Sequence, residues 1–228
     1  MNRAYEINAL AKEESWRMFR IMGEFVEGFD ELSRFQPAVS VYGSARVRPS
    51  HPLYGQAREI GERLAKAGFS VFTGGGPGLM AAANRGALEA GGNSIGLFIR
   101  LNGAEAPNPF TSLSLSFHYF FVRKVMLVKY ATAFVLLPGG LGTQDEFFET
   151  LTLIQTGKIR PFPVILFGSS YWNGLLEWMR QAMIENGFIK PTDLRRLAVT
   201  DDPAECVSLV QRWYRRGLRQ TALTEKLT

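Results

Sequence analysis

One cysteine and two histidines are the only side chains of their kinds in this 228-residue chain. Cys206 alone can neither close an intramolecular disulfide nor build a cysteine-based zinc site, and His51 and His118 lack the close spacing of metal-binding histidines. No metal or other cofactor is therefore expected, and a chain without disulfides fits a reducing, cytoplasmic compartment. Long apolar runs are also missing. Nothing approaches the roughly 20 apolar residues of a membrane-spanning helix, and Met1 to Lys12 lacks the apolar segment of a secretory signal, so neither insertion nor export is expected. Repeats and low-complexity tracts are absent as well, which confines disorder to the two ends. Charge of one sign is scarce: 26 Lys and Arg against 21 Asp and Glu leave only +5, enough to favour phosphorylated ligands and too little to imply nucleic acid. The basic residues concentrate only near the C-terminus, at Arg195, Arg196, Arg212, Arg215, Arg216 and Arg219, and read as a solvated helix face. Aromatics are not interleaved with basic residues as a groove for single-stranded DNA requires.

What is present supports one sizeable core, since 46% hydrophobic content over 228 residues is too little chain for two. Trp16, Phe19, Met22, Val26 and Phe29 recur at helical spacing, widened by Met18, Ile21, Phe25 and Leu32, so Ser15 to Leu32 should form a helix packed on the main domain or on a partner subunit. Gln36-Pro37 then breaks the chain. Residues 1–37 read as a helical extension, 38–216 as the nucleotide-binding domain and 217–228 as a tail.

Within the domain, runs rich in β-branched and aromatic residues at Ala38 to Tyr42, Ser70 to Thr73, Ser94 to Ile99, Ala133 to Leu137 and Pro163 to Phe167 alternate with helical patterns. The helices are expected at Tyr54 to Ala67, Leu79 to Ala90, Phe121 to Tyr130, Gln144 to Thr156, Tyr171 to Asn186 and Pro203 to Arg216. Such alternation specifies an α/β fold, a doubly wound, Rossmann-like parallel sheet covered on both faces. Ligands bind beyond the C-terminal ends of its strands. There the sequence places Gly43-Ser44-Ala45-Arg46, Gly74-Gly75-Gly76-Pro77-Gly78 and Pro138-Gly139-Gly140-Leu141-Gly142-Thr143.

Glycines let backbone approach a phosphate closely, and a helix N-terminus points free N–H groups at it. Two glycine-rich loops that each open a helix favour a nucleotide over mere tight turns. Gly76-Pro77-Gly78-Leu79-Met80-Ala81 matches a loose dinucleotide fingerprint, yet the next strand ends in Ile99-Arg100 without the acidic residue that would hold a ribose. Gly157-Lys158 lacks the rest of a P-loop. A mononucleotide remains. Thr143 and Glu146 also have the spacing of a capping box, which accounts for those two residues but not for the glycines ahead of them. Arg123-Lys124, after an aromatic run, opens a further helix, and spacing alone leaves its place relative to the glycine loops open.

Pro138-Gly139-Gly140-Leu141-Gly142-Thr143-Gln144-Asp145-Glu146 resembles the P-G-G-x-G-T-x-x-E hallmark of the LOG (LONELY GUY) family of cytokinin-activating phosphoribohydrolases. The resemblance runs over roughly Ala38 to Phe167 and takes in Gly43 to Arg46, Gly74 to Met80 and Arg123-Lys124. Members have often carried the label lysine decarboxylase, although nothing here marks a pyridoxal-phosphate site. One departure is Phe121, where many members have histidine in Met-His-x-Arg-Lys, and it bears on the preferred base more than on the reaction.

The resemblance implies hydrolysis of the N-glycosidic bond of a purine nucleoside 5′-monophosphate, either AMP-like or N6-modified. Glu146 would stabilise the oxocarbenium-like sugar and activate water, with Arg123 orienting it. Gly139, Gly140, Gly142 and Thr143 would hold the phosphate, with Ser44, Gly75, Gly76 and Lys124 completing the substrate site. A homodimer or higher homo-oligomer is also implied. A non-catalytic nucleotide or molybdenum-cofactor carrier of the same fold is the alternative, and it would need the glycines without the pair of Glu146 and Arg123.

Overall fold

The computed structural model describes residues 14–100 and 106–224; the expectation for Met1 to Lys12 falls outside the described residues. Strands β1 (Ala38–Tyr42), β2 (Ser70–Thr73), β3 (Ser94–Ile99), β4 (Leu113–Phe117), β5 (Ala131–Leu136), β6 (Val164–Phe167) and β7 (Leu197–Thr200) form one parallel sheet in the order β4-β3-β2-β1-β5-β6-β7. The helices are α1 (Glu14–Leu32), α2 (Pro52–Lys66), α3 (Leu79–Glu89), α4 (Phe120–Lys129), α5 (Leu141–Gln155), α6 (Ser169–Trp178) and α7 (Pro203–Thr224). The last continues beyond Arg216 into the segment read as a tail. From α6 the chain runs on as a π-helical turn over Met179–Ile184, so the single helix expected at Tyr171 to Asn186 is divided.

Alternation along each strand sorts side chains between two cores. Ala38, Tyr42, Phe72, Phe134, Leu136, Val164 and Leu166 meet α1, α4, α5 and α6 on one face. Val39, Val41, Val71, Ala133, Val135, Ile165 and Phe167 meet α2, α3 and α7 on the other. A strand covered on both faces reads as an unbroken apolar run, and β1, β2 and β6 are buried at every position. The two strands absent from the sequence reading are the sheet's edges. In β4 only Leu115 and Phe117 are buried, and in β7 only Thr200, so neither presents such a run.

α1 is laid across α4 as the apolar spacing suggested, with Leu32 buried and Ile21 and Phe25 against the core. Glu24 is buried and accepts hydrogen bonds from the backbone N–H of His118 (2.9 Å) and pairs with its Nδ1 (2.7 Å), tying α1 to the entrance of α4. The other stripe of α1, including Trp16, Phe19, Met22 and Val26, is exposed. Arg212, Arg215 and Arg216 are exposed along α7. No helix among the described residues is long and apolar enough to cross a membrane.

Candidate functional site

β1 and β5 are sheet neighbours whose following helices, α2 and α5, pack on opposite faces, so their loops diverge and leave a crevice where strand order reverses. The two strand ends stay stitched past the sheet. Leu137 N–H donates to the Tyr42 carbonyl (2.9 Å) and Ser44 N–H to the Pro138 carbonyl (3.0 Å). Beyond them lies a cavity of about 550 Å³ lined by Tyr42, Gly43 to Arg46, Gly74, Met80, Arg123, Leu127, Gly140 to Thr143 and Glu146. Its volume suits a small organic ligand.

Helix α5 begins earlier than its sequence suggested. Gly140 is its N-cap, without any side-chain cap, and the N–H groups of Thr143 (3.0 Å) and Gln144 (3.1 Å) both return to the Gly140 carbonyl. Thr143 therefore lies inside the first turn, and Glu146 further along, so they do not form a capping box. The capping reading fails because glycine at 140 and 142 lets the helix start ahead of the threonine. The first N–H groups of a helix have no partner within it. In α5 those of Gly140, Leu141 and Gly142 belong to residues that line the cavity, while a Cβ added at Gly140 or Gly142 would meet nothing within 4 Å. Gly139 is different: a Cβ there would fall 2.0 Å from Thr143 Oγ1, so this glycine permits the close approach of loop to helix.

The other glycine-rich loop is used differently. The first N–H of α3, on Leu79, donates to the Ser44 carbonyl at 2.9 Å, so this helix start holds the β1 loop. Gly78 has φ +69° and passes so near that a Cβ would lie 2.3 Å from the same oxygen. Gly74 lines the cavity, whereas Gly75 and Gly76 do not, and their carbonyls accept from the N–H (2.8 Å) and Nδ2 (3.1 Å) of Asn108. Ser44 lines the cavity and its Oγ accepts from Arg46 N–H (3.1 Å).

The helix that crosses between parallel strands runs against them, so the start of α4 lies over the C-terminal sheet edge. Arg123 thereby meets Glu146 of α5, with Nη2 to Oε1 at 3.9 Å. Glu146 is only 3% exposed, and its carboxyl is pushed up to about 7, chiefly by burial and against the pull of Lys124 and Arg123. Burial likewise lowers the Arg123 guanidinium below its ordinary value, opposed by Glu146. Glu146 Oε2 and Arg123 Nε are buried without a hydrogen-bond partner among the described residues. Buried polar atoms in that condition are costly unless something else engages them, which points to a ligand here.

Lys124 does not join them. It turns away to Asp145 (2.7 Å) and Glu149 (2.8 Å) and lines a separate cavity with Val125, Val128 and Phe162. Tyr42, Met80 and Leu127 enter the site unforeseen. Tyr42 could have been found by strand parity, since it shares its sheet face with Ser40, whose hydroxyl donates to the Leu127 carbonyl of α4 at 2.6 Å. Burial, then the Glu146 carboxylate, holds the Tyr42 phenol well above its ordinary value.

The family model described as possible lysine decarboxylase matches residues 80–210, more than half of the chain. The cytokinin riboside 5′-monophosphate phosphoribohydrolase of Rhodococcoides fascians is 29% identical over 202 residues, covering 78% of this chain and 98% of its own. The X-ray structure of TM1055, 26% identical, superposes with a TM-score of 0.61 over 77% of this chain and 98% of that one. The molybdenum cofactor carrier protein of Chlamydomonas reinhardtii, 23% identical, reaches 0.59 over 78% of this chain and 98% of that one, a likeness of fold alone.

Proposed function

This chain belongs to the LOG family, and from that premise we propose that it hydrolyses the N-glycosidic bond of a purine nucleoside 5′-monophosphate to free base and ribose 5-phosphate. One observation carries the reading: a buried carboxyl near neutrality, Glu146, faces the same cavity as the open start of α5. The phosphate sits at Gly140, Gly142 and Thr143, where backbone N–H groups and the helix dipole meet an anion. That anchor sets the ribose over Glu146. As the C1′–N9 bond breaks, its electron pair leaves with the purine and positive charge develops on the sugar, which ionised Glu146 stabilises. Water then bonds to C1′ and gives its proton to Glu146, which passes a proton on to the departing base. Arg123 keeps the carboxylate ionised and in place. Tyr42, Met80 and Leu127 supply surface for the nucleoside. A carrier would need the glycine cradle but would have no use for a desolvated carboxylate beside it. Incubation with a panel of AMP and N6-substituted adenosine monophosphates, resolving the free bases, tests the reaction and ranks the bases.

The protonation of Glu146 gives a pH prediction. Only the ionised form acts, so kcat/KM should rise through about 7 and level off above it, falling about tenfold per pH unit well below. A kcat/KM that is flat between pH 5.5 and 8.5 would refute the assignment.

On α1, Trp16, Phe19 and Val26 are 74%, 64% and 66% exposed, and at the start of α4 Phe120 and Phe121 are 48% and 46% exposed. Apolar surface of this kind favours self-association, most often as a symmetric dimer. Light scattering should report a dimer or larger, and Trp16→Glu combined with Phe19→Glu should lower the mass. A monomer at micromolar concentration with full activity would contradict this.

A further inference from the structure

We propose that Tyr171, in the first turn of α6, is a positioning residue that fixes the peptide between Gly139 and Gly140 for binding the 5′-phosphate; this rests on placing that phosphate at the start of α5. The Tyr171 hydroxyl donates to the Gly139 carbonyl at 2.5 Å and accepts from Gln144 Nε2 at 2.8 Å. A phenol has one proton, and with the Gln144 amide supplying the other N–H, that proton is committed to Gly139. Gln144, Tyr171 and Gly139 thus form an ordered chain.

The orientation of one peptide follows. Gly140 lines the cavity and Tyr171 lies outside its wall, so the Gly139 carbonyl is drawn away from the ligand. In a planar trans peptide the C=O and the next N–H point in opposite directions, which turns the Gly140 N–H toward the cavity. A peptide between two glycines has no side chain to hold it and rotates easily, so it needs an outside restraint. Tyr171 is 40% exposed and its ring lies edge-on to Trp172 at 4.9 Å, which limits its rotation. Trp172 is fully buried and donates from Nε1 to the Phe167 carbonyl at 3.1 Å. Accepting the Tyr171 hydrogen bond also polarises the peptide and strengthens its N–H as a donor.

Tyr171→Phe removes only the hydroxyl. It should raise the KM for AMP by about tenfold, with kcat within about twofold of wild type. The Kd for ribose 5-phosphate by calorimetry should rise by the same factor, while inhibition by free adenine stays unchanged. Unchanged KM and ribose 5-phosphate affinity in Tyr171→Phe would overturn the proposal, as would an equal loss of adenine affinity, which marks general damage to the pocket. If the wild type binds neither AMP nor ribose 5-phosphate, the phosphate assignment itself falls and takes this proposal with it.

Discussion

Glu146→Gln is expected to keep its fold and its affinity for AMP while losing about a hundredfold or more in kcat, because an amide matches the carboxyl in shape but not in charge. Stability gives an independent reading. The folded carboxyl titrates near 7 against an ordinary value of 4.5, so the folded state binds more protons between those values. Its contribution is fully present below 4.5 and is lost as pH rises through about 7. Glutamine has no such dependence. The variant should therefore match wild type in acid and melt higher at pH 8, by at most about 3 kcal/mol of unfolding free energy. Arg123→Ala should also depress kcat at neutral pH, for a distinguishable reason: without its closest guanidinium partner Glu146 stays protonated to higher pH, so the acid limb of the profile moves up and part of the rate returns in alkali. Full activity in Glu146→Gln would remove the residue from the chemistry.

How far these residues could be read from sequence depended on burial. β1, β2 and β3 were legible to the residue, since their apolar runs are what two-sided coverage demands. The edges β4 and β7 were not, because strands covered unequally carry Ser114, Ser116 or Ala198 where a central strand carries valine. In the site, Pro138 to Glu146 was legible as a motif, while the start of α5 was misplaced: a threonine followed by an acid three residues on imitates a cap wherever the true cap is glycine. Arg123 and Lys124 are adjacent in sequence, yet helical rotation sends one into the cavity and the other to Asp145 and Glu149. Tyr171 lies 32 residues beyond Gly139, and only the packing of α6 beside α5 brings its hydroxyl to that carbonyl.

Removing the 5′-phosphate from the substrate should cost more than any single side chain outside the pair of Glu146 and Arg123. Adenosine is expected to be cleaved at least about a thousandfold less efficiently than AMP, because binding energy at the start of α5 holds C1′ in reach of Glu146. The geometry supports this division of labour: the glycines at 140 and 142 leave the helix start open, whereas the carboxylate is sunk beneath it at 3% exposure and offers a nucleoside little grip of its own. Added ribose 5-phosphate should compete with AMP, because it carries both the phosphate and the sugar that the site holds. Equal kcat/KM for nucleoside and nucleotide would remove the phosphate from the mechanism.

Hydrolysis is decided by incubating purified protein with AMP, with adenosine in parallel and Glu146→Gln as the blank, and quantifying adenine and ribose 5-phosphate by chromatography. Equimolar adenine and ribose 5-phosphate are expected from AMP, little or no adenine from adenosine, and release near background in the variant. Absence of free base from AMP and from N6-substituted adenosine monophosphates, with nucleotide binding intact, would contradict hydrolysis and leave a protein that binds nucleotides without cleaving them.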